Sequence, residues 1–537
     1  MVRTFQFALA AACVAWAPSC KSPVEHRAEA DREVYALIDS RREVMFPAAS
    51  EPVRLVSADE ALPPEALQGD PWSLVDCLEI AAATSREAAA RREDLYSVAL
   101  ALTFERWRFG TRGSASISGF VTGLGGDAQS AGLDALGGLS RQLGSGGVVE
   151  GSLGLRVVRS LLRGDGWDAL SSASLAITQP LLQGRGRLVT LEPLTQAERD
   201  LVYEVRDYER FRRSFAFDVA TEFYGLIQAR DELRNEERNY ETLVELRRRN
   251  EALAEAGRLS DIEVDQARQD ELRSANRLLE IRNALEARQD GFKLFLGIPM
   301  WVEFGLDADE LERLVAQDAY ESDIELESAA LEVALSDRLD LTTASDRVAD
   351  RVRRVRIDEN QLLPGLDVTA NALASSDEGR PLSVSGSSVP WNVGLTLDLP
   401  IERLPERNAY RQSLIELDVA QRDLEQLADQ VRADVRDALR DAVATRESYR
   451  IQRGAVELAE RRVESARLML EAGRASTRDL LEAQGALLEA QNAATAALID
   501  TTLARLRLYL DIEALRVDET GVYPDPMVLA RLTEGLP

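Results

Sequence analysis

Asp479 and Glu482 stand three residues apart in the first turns of a helical pattern that follows a glycine turn. On a helix that spacing turns both carboxylates the same way, the arrangement an acid–base pair or a cation site needs. Glu263 holds the matching position 216 residues earlier, with Gln266 in place of the second acid. The chain has 92 acidic residues, so any given pair is first of all a solvated helix face. Its single histidine, His26, lies in a polar N-terminal stretch, which removes histidine triads, histidine general bases and histidine-rich metal sites. Nothing else in the chain suggests an enzyme, a cofactor or a metal centre.

The elements that position these acids occur twice. Glu255-Ala256-Gly257-Arg258-Leu259-Ser260 and Glu471-Ala472-Gly473-Arg474-Ala475-Ser476 share Glu-Ala-Gly-Arg-x-Ser letter for letter. Each glycine follows a long periodic stretch and supplies a left-handed C-cap, and each serine is a good N-cap for the next helix. Ser260 to Glu263 has capping-box spacing, and Ser476 to Asp479 has it by analogy. Each copy therefore reads as the tip of a long antiparallel helical hairpin.

Going back along the chain, the net charge of −28 argues against nucleic acid and against an anionic membrane surface. Residues 1–19 have a basic start and an apolar run, and read as a signal peptide. Ala17-Pro18-Ser19-Cys20 resembles a bacterial lipoprotein box, with Cys20 as the acylated residue; plain signal-peptidase cleavage nearby is the alternative. After processing only Cys20 and Cys77 remain, so no intrachain disulfide framework is expected. No later segment offers 18 apolar residues in a row. Residues 20–72, punctuated by proline, read as a linker or tether.

The first repeat spans 73–299: a helix, strands near 112–123 and 171–180, a long helix over 193–256 and a return helix over 260–296. Between the strands, 123–151 is Gly-rich and turn-like, while Leu153, Leu155 and Val157 alternate in the manner of an extra strand. An equatorial connector occupies 300–325. The second repeat, 326–515, has a helix, strands near 365–374 and 390–400, a long helix over 405–472 and a return helix over 476–510; 516–537 is a tail. In the strand at 390–400, Trp391, Val393, Leu395, Leu397 and Leu399 alternate with Asn392, Gly394, Thr396 and Asp398. Strict period two with one apolar face is a half-buried strand, and Trp391 suits an interfacial girdle. The long second helix has a narrow apolar stripe, Val431, Val435 and Leu439 through Val456, Val463 and Leu470, which is a coiled-coil seam.

This order resembles the TolC-type outer-membrane efflux proteins. Leu362-Leu363-Pro364-Gly365-Leu366-Asp367-Val368, Gly394-Leu395-Thr396-Leu397-Asp398-Leu399-Pro400, Gln179-Pro180-Leu181-Leu182 and both Glu-Ala-Gly-Arg tips look like that family's recurrent phrases. The likeness implies a mainly α fold with a small β part. Two repeats of long helical hairpins form an α-helical tunnel, and four strands per chain contribute to a trimeric, twelve-stranded outer-membrane β-barrel. It implies a homotrimer in outer-membrane lipid, a periplasmic adaptor and an inner-membrane pump as partners, and efflux or type I secretion as the function. Gly257, Arg258, Leu259, Ser260, Gly473, Arg474, Ala475 and Ser476 become adaptor-docking tips. Asp479, Glu482, Glu263, Arg474 and Arg478 become residues of the periplasmic aperture, where three copies crowd their carboxylates and favour cations. A periplasmic adaptor or a coiled-coil scaffold without transport is the competing reading; the doubled hairpin with four strands argues against the adaptor, and the scaffold leaves the amphipathic strands unexplained.

Overall fold

The computed structural model describes residues 21–47, 52–55, 71–124, 128–160, 167–307, 309–318, 327–376, 389–518 and 521–533. Cys20 and the signal segment lie outside the described residues. The chain divides into two compact units, 1–54, 94–205 and 343–424 in one, and 55–93, 206–342 and 425–537 in the other.

The first unit is built on one antiparallel sheet of six strands in sequence order: β1 (Thr111–Leu124), β2 (Ala128–Gln142), β3 (Val148–Ser160), β4 (Asp168–Pro180), β5 (Gly365–Ser375) and β6 (Trp391–Asp398). Among the described residues the expected four strands are thus corrected to six in this sheet. The Gly-rich stretch over 128–142 is a strand, and with β3 it adds a hairpin. Its glycines fit the sheet because neighbours lie over them. A Cβ on Gly132 would fall 2.7 Å from the Phe120 ring, and one on Gly138 would fall 2.9 Å from the Ser114 hydroxyl. Gly146 closes the β2–β3 turn with φ +98°, where a side chain would also strike the Gly184 carbonyl. The β4–β5 pairing, from Ser172 opposite Ser375 to Pro180 opposite Asp367, welds the two repeats together.

Directly opposite residues share a face, so the register defines two surfaces. Val121, Ile117, Leu133, Leu139, Leu153, Leu155, Leu175, Ile177, Val368, Leu395, Val393 and Trp391 all lie on one. Ser114, Ser116, Ser118, Asp134, Glu150, Ser152, Arg156, Ser174, Thr369, Asn371 and Thr396 lie on the other.

The segment read as a tether contains helix α1 (Pro23–Met45). Ser22 and Glu25 form a capping box, and Pro23 sits in the first turn, where its missing N–H costs nothing. In the same unit α1 meets α3 (Arg86–Phe109). Tyr35 packs edge-on against Tyr96 at 5.7 Å, and the Tyr96 hydroxyl donates to Asp31 at 2.6 Å.

The second unit is helical. It holds α2 (Leu74–Thr84), α6 (Asp261–Leu296), α7 (Glu310–Asp318), α8 (Glu327–Asp337) and α11 (Thr477–Asp511), with the lower parts of α5 (Glu192–Glu255) and α10 (Leu404–Glu471). A four-residue turn, α4 (Arg187–Thr190), precedes α5, and α9 (Leu339–Gln361) precedes β5. Helices α5 and α10 have 64 and 68 residues, about 95 and 100 Å at the helical rise. Phe223, Phe292, Leu296, Ile499, Ile512 and Leu515 fill the core of this unit. Val431 and Val435 of the apolar stripe are fully buried there, while Val456, Val463 and Leu470 nearer the tip are half-buried. The tail is ordered as a hairpin, β7 (Leu515–Asp518) with β8 (Gly521–Pro524), and a short helix α12 (Pro526–Thr533).

Candidate functional site

Both tips have the geometry that the repeated phrase demands. Gly257 has φ +68° and Gly473 has φ +69°, with open space where a Cβ would sit. The Gly257 N–H donates to Ala254 O and the Arg258 N–H to Leu253 O, each at 2.8 Å. At the second tip Gly473 donates to Leu470 O at 3.1 Å and Arg474 to Met469 O at 2.8 Å. This is the Schellman arrangement twice over, and it satisfies carbonyls the helix ends would otherwise orphan. Arg258, Ser260, Arg474 and Ser476 are exposed at the tips, with Leu259 and Ala475 half-buried.

The acids are more committed than their spacing suggests. Asp479 accepts from the Ser476 N–H and hydroxyl, both at 2.8 Å, and closes the capping box of α11. The Ser476 backbone bond, then the hydroxyl bond, hold its carboxyl below the usual range, with a smaller pull from Arg478. Glu263 closes the capping box of α6, accepting from the Ser260 hydroxyl at 3.1 Å and its N–H at 3.4 Å. Glu482 instead takes the Arg462 guanidinium of α10 at 2.7 Å. Arg474 and Arg478 are exposed on either side of the cap. Within one chain, then, Asp479 and Glu482 share a helix face and serve different bonds.

Sequence reasoning missed a polar seam that ties the two hairpins together. Asn250, 2% exposed, donates to the fully buried Thr477 hydroxyl at 3.1 Å, so α5 of the first hairpin meets α11 of the second at the tip. Further up, Asn235 donates to Asn492 at 2.8 Å, and the Thr495 hydroxyl donates to Asp231 at 2.7 Å. Asn239 and the buried Glu236 reach Ser274 of α6, the latter at 2.5 Å. The signal was present in the spacing: Asp231, Asn235 and Asn239 repeat every four residues along one face of α5. Around this seam lie exposed pairs, Arg249 with Glu471 at 3.7 Å and Arg467 with Glu464 at 2.8 Å. Such pairs contribute about 0–1 kcal/mol each. The hairpins are therefore latched by a few buried bonds under a loose cover of charge.

The other surface with functional potential is the sheet. Its apolar face is bare in the single chain: Val121 is 76% exposed, Trp391 75%, Ile117 71%, Leu153 69% and Leu395 66%. An apolar patch of that size marks a surface made for a partner or for lipid. Among the described residues no helix is long and apolar enough to cross a membrane, and no cluster of side chains is suited to hold a metal ion.

Residues 330–511 match the family model of the outer membrane efflux protein. No curated protein matches the chain. Among solved structures the chain is similar to CusC, described as undergoing conformational changes on folding and transmembrane channel formation (13% identity, 83% of this chain and 94% of that one, TM-score 0.60). It is likewise similar to the outer membrane protein VceC of Vibrio cholerae (14% identity, 82% and 95%, TM-score 0.58). The outer membrane channel CmeC of Campylobacter jejuni is a third (16% identity, 88% and 91%, TM-score 0.59). Of these, CusC and CmeC are described as channels. The chain thus matches the outer membrane efflux protein model over residues 330–511 and shares the fold of these outer-membrane structures over most of its length.

Proposed function

We propose that this chain forms the outer-membrane exit duct of a tripartite efflux or type I secretion assembly. The observation that carries this reading is the sheet. One face is apolar along the six strands, exposed on β1 to β4 and β6 and half-buried on β5, and the opposite face carries most of the serine, threonine, asparagine and charge, with Leu136 and Leu373 among them. In a bilayer the first face meets lipid and the second lines water. Open sheet edges do not survive in hydrocarbon, so copies must join edge to edge, and the reading takes three. The helical hairpins then continue the duct as a tunnel, receiving cargo from a periplasmic adaptor and an inner-membrane pump. A detergent-extracted sample is expected to hold three chains per particle, to form channels in lipid bilayers, and to begin at an acylated Cys20 by mass spectrometry of the mature N-terminus. A stable, water-soluble monomer sinks the duct; a mature N-terminus elsewhere sinks only the lipid anchor.

The tips are where this reading places the adaptor. Gly257→Val and Gly473→Val force a β-branched residue into left-handed backbone, at a cost of about 1–2 kcal/mol each. Adaptor cross-linking should fall severalfold while the assembled trimer and its barrel persist. Unchanged cross-linking in both variants removes the docking role.

The aperture acids make a second test. Asp479→Asn keeps an oxygen for the Ser476 cap, and Glu482→Gln keeps size while loosening Arg462. Three copies lose six negative charges at the mouth, so single channels should show weaker cation preference and weaker block by multivalent cations, most clearly at low salt. Glu416 and Glu425 of α10 serve as ordinary face charges for comparison. Equal losses from both pairs mean that the bulk charge of the tunnel, not a ring at the tip, sets selectivity.

A further inference from the structure

The added β2–β3 hairpin has a consequence for the size of the barrel, given the duct reading above. In the sheet order, β1 and β6 are the two edges, with no partner on their outer sides among the described strands. Both keep the alternation to the edge: Ile117 and Val121 on β1, and Trp391, Val393, Leu395 and Leu397 on β6, are all more than half exposed. Because six is even, β1 and β6 run in opposite directions, and β1 of one copy laid beside β6 of the next makes an antiparallel pair.

The hairpin itself is built as wall. Its apolar side chains Leu133, Leu139 and Leu153 are exposed, at 44%, 62% and 69%, and continue the faces of β1 and β4 without a step. Folding the hairpin into the lumen or out toward the periplasm puts those leucines in water. Its turn is also fastened. The Gly186 N–H donates to Ser145 O at 3.1 Å, and the Ser145 hydroxyl donates to Gln179 at 2.8 Å. On the polar side Arg156 pairs with Asp134 at 2.7 Å and stands over the Phe120 ring at 5.7 Å.

We propose that β1 of one copy pairs with β6 of the next and that β2–β3 is a full segment of the wall, so that three copies of a six-stranded sheet close an eighteen-stranded barrel. Barrel diameter grows roughly in proportion to strand number, so this lumen has about twice the cross-section of one built on four strands per copy. Eighteen strands fall in the range that leaves an open aqueous channel rather than one filled by side chains. The hairpin also adds Asp134, Glu150 and Arg156 to the water-lined face, beside Arg112, Asp168, Asp367 and Asp398 of the other four strands.

The test uses the full chain in outer membranes. Cysteines are placed in pairs on the polar faces of the edges, one at Ser114, Ser116 or Ser118 and one at Asn392 or Thr396. Oxidation should yield interchain disulfides in at least one register, and a ladder that stops at three chains. In a second set, the β6 cysteines are combined with Glu150→Cys or Ser152→Cys on β3, and these should stay uncoupled. Electron cryomicroscopy of the extracted particle should count eighteen strands. Trimers whose β6 couples to β3, or whose barrel shows twelve strands, overturn the proposal and leave the duct standing. A soluble monomer overturns the duct, and this proposal with it.

Discussion

Leu395→Arg is expected to abolish accumulation of the assembled channel in the outer membrane, while Thr396→Arg, one residue on, leaves most of it. The two positions differ in little but direction. Leu395 pairs with Val368 on the apolar face and is 66% exposed in the single chain; Thr396 pairs with Asp367 on the polar face. An arginine on the lipid side of a barrel costs about 2–4 kcal/mol near the midplane and far less near either interface. Three copies multiply that penalty in one particle, and β6 is an edge strand that must still find its neighbour. On the water-lined face the same guanidinium stays hydrated and adds charge to the lumen. Immunoblots of outer-membrane fractions, read for assembled protein against total protein, distinguish the two. Equal loss from both substitutions means that the apolar face is not the lipid face.

The same alternation explains what could be read from the chain before its structure. Strands β5 and β6 are legible because every second residue is apolar and the intervening ones are Asp, Thr and Asn. The tips are legible because a left-handed glycine and a capping serine are local needs that local residues meet. Strand β2 was not, because Gly132, Gly137 and Gly138 read as turn, and their cause is non-local: the Phe120 ring and the Ser114 hydroxyl on β1 leave room for nothing larger at two of them. Proline misled in the opposite sense at Pro23, where it begins α1 instead of breaking it. Ser85 and Arg338 interrupt helical patterns that otherwise run on, separating α2 from α3 and α8 from α9. At the candidate site the spacing of Asp479 and Glu482 correctly gives a shared helix face. It does not reveal that one oxygen of Asp479 is spent on the cap or that Arg462 comes across to Glu482, because partners on other turns and helices carry no local signature.

Arg338→Ala should be the most damaging single substitution in the helical unit. Arg338 is 4% exposed at the break between α8 and α9. It donates to both oxygens of Asp340, at 3.1 and 2.7 Å, and to Asp434 of α10 at 3.3 Å. Arg210 of α5 joins Asp340 at 3.2 Å to Glu513 at 3.1 Å, and Arg213 also binds Glu513. Glu513 lies just beyond α11 with φ +60°, so the ends of α8 and α11 and the start of α9 meet side chains of α5 and α10 in one buried network. Removing a buried partner leaves charge uncompensated, typically at about 3–5 kcal/mol. Asp340 and Asp434 keep some solvent, which puts the expected loss toward the lower figure. Its dependence on pH is the sharper test. Burial pushes the Asp340 carboxyl up, but the guanidiniums of Arg338 and Arg210 outweigh that and hold it below the usual range. A depressed folded-state pKa stabilises above the unfolded value of about 3.9, and the gain is lost as pH falls through the folded one. Without Arg338, burial is opposed by Arg210 and by the Leu341 N–H, so much of the depression, and the stability linked to it, is lost. The deficit of Arg338→Ala against the parent, measured by thermal unfolding of the extracted protein, should therefore hold from neutral pH down to about 4 and shrink as pH falls further, through the depressed folded-state value of Asp340. Arg338→Lys keeps the charge without the two-pronged geometry and should fall between them. A deficit that is constant with pH means the arginine acts by filling space at the helix break, and its charge is incidental.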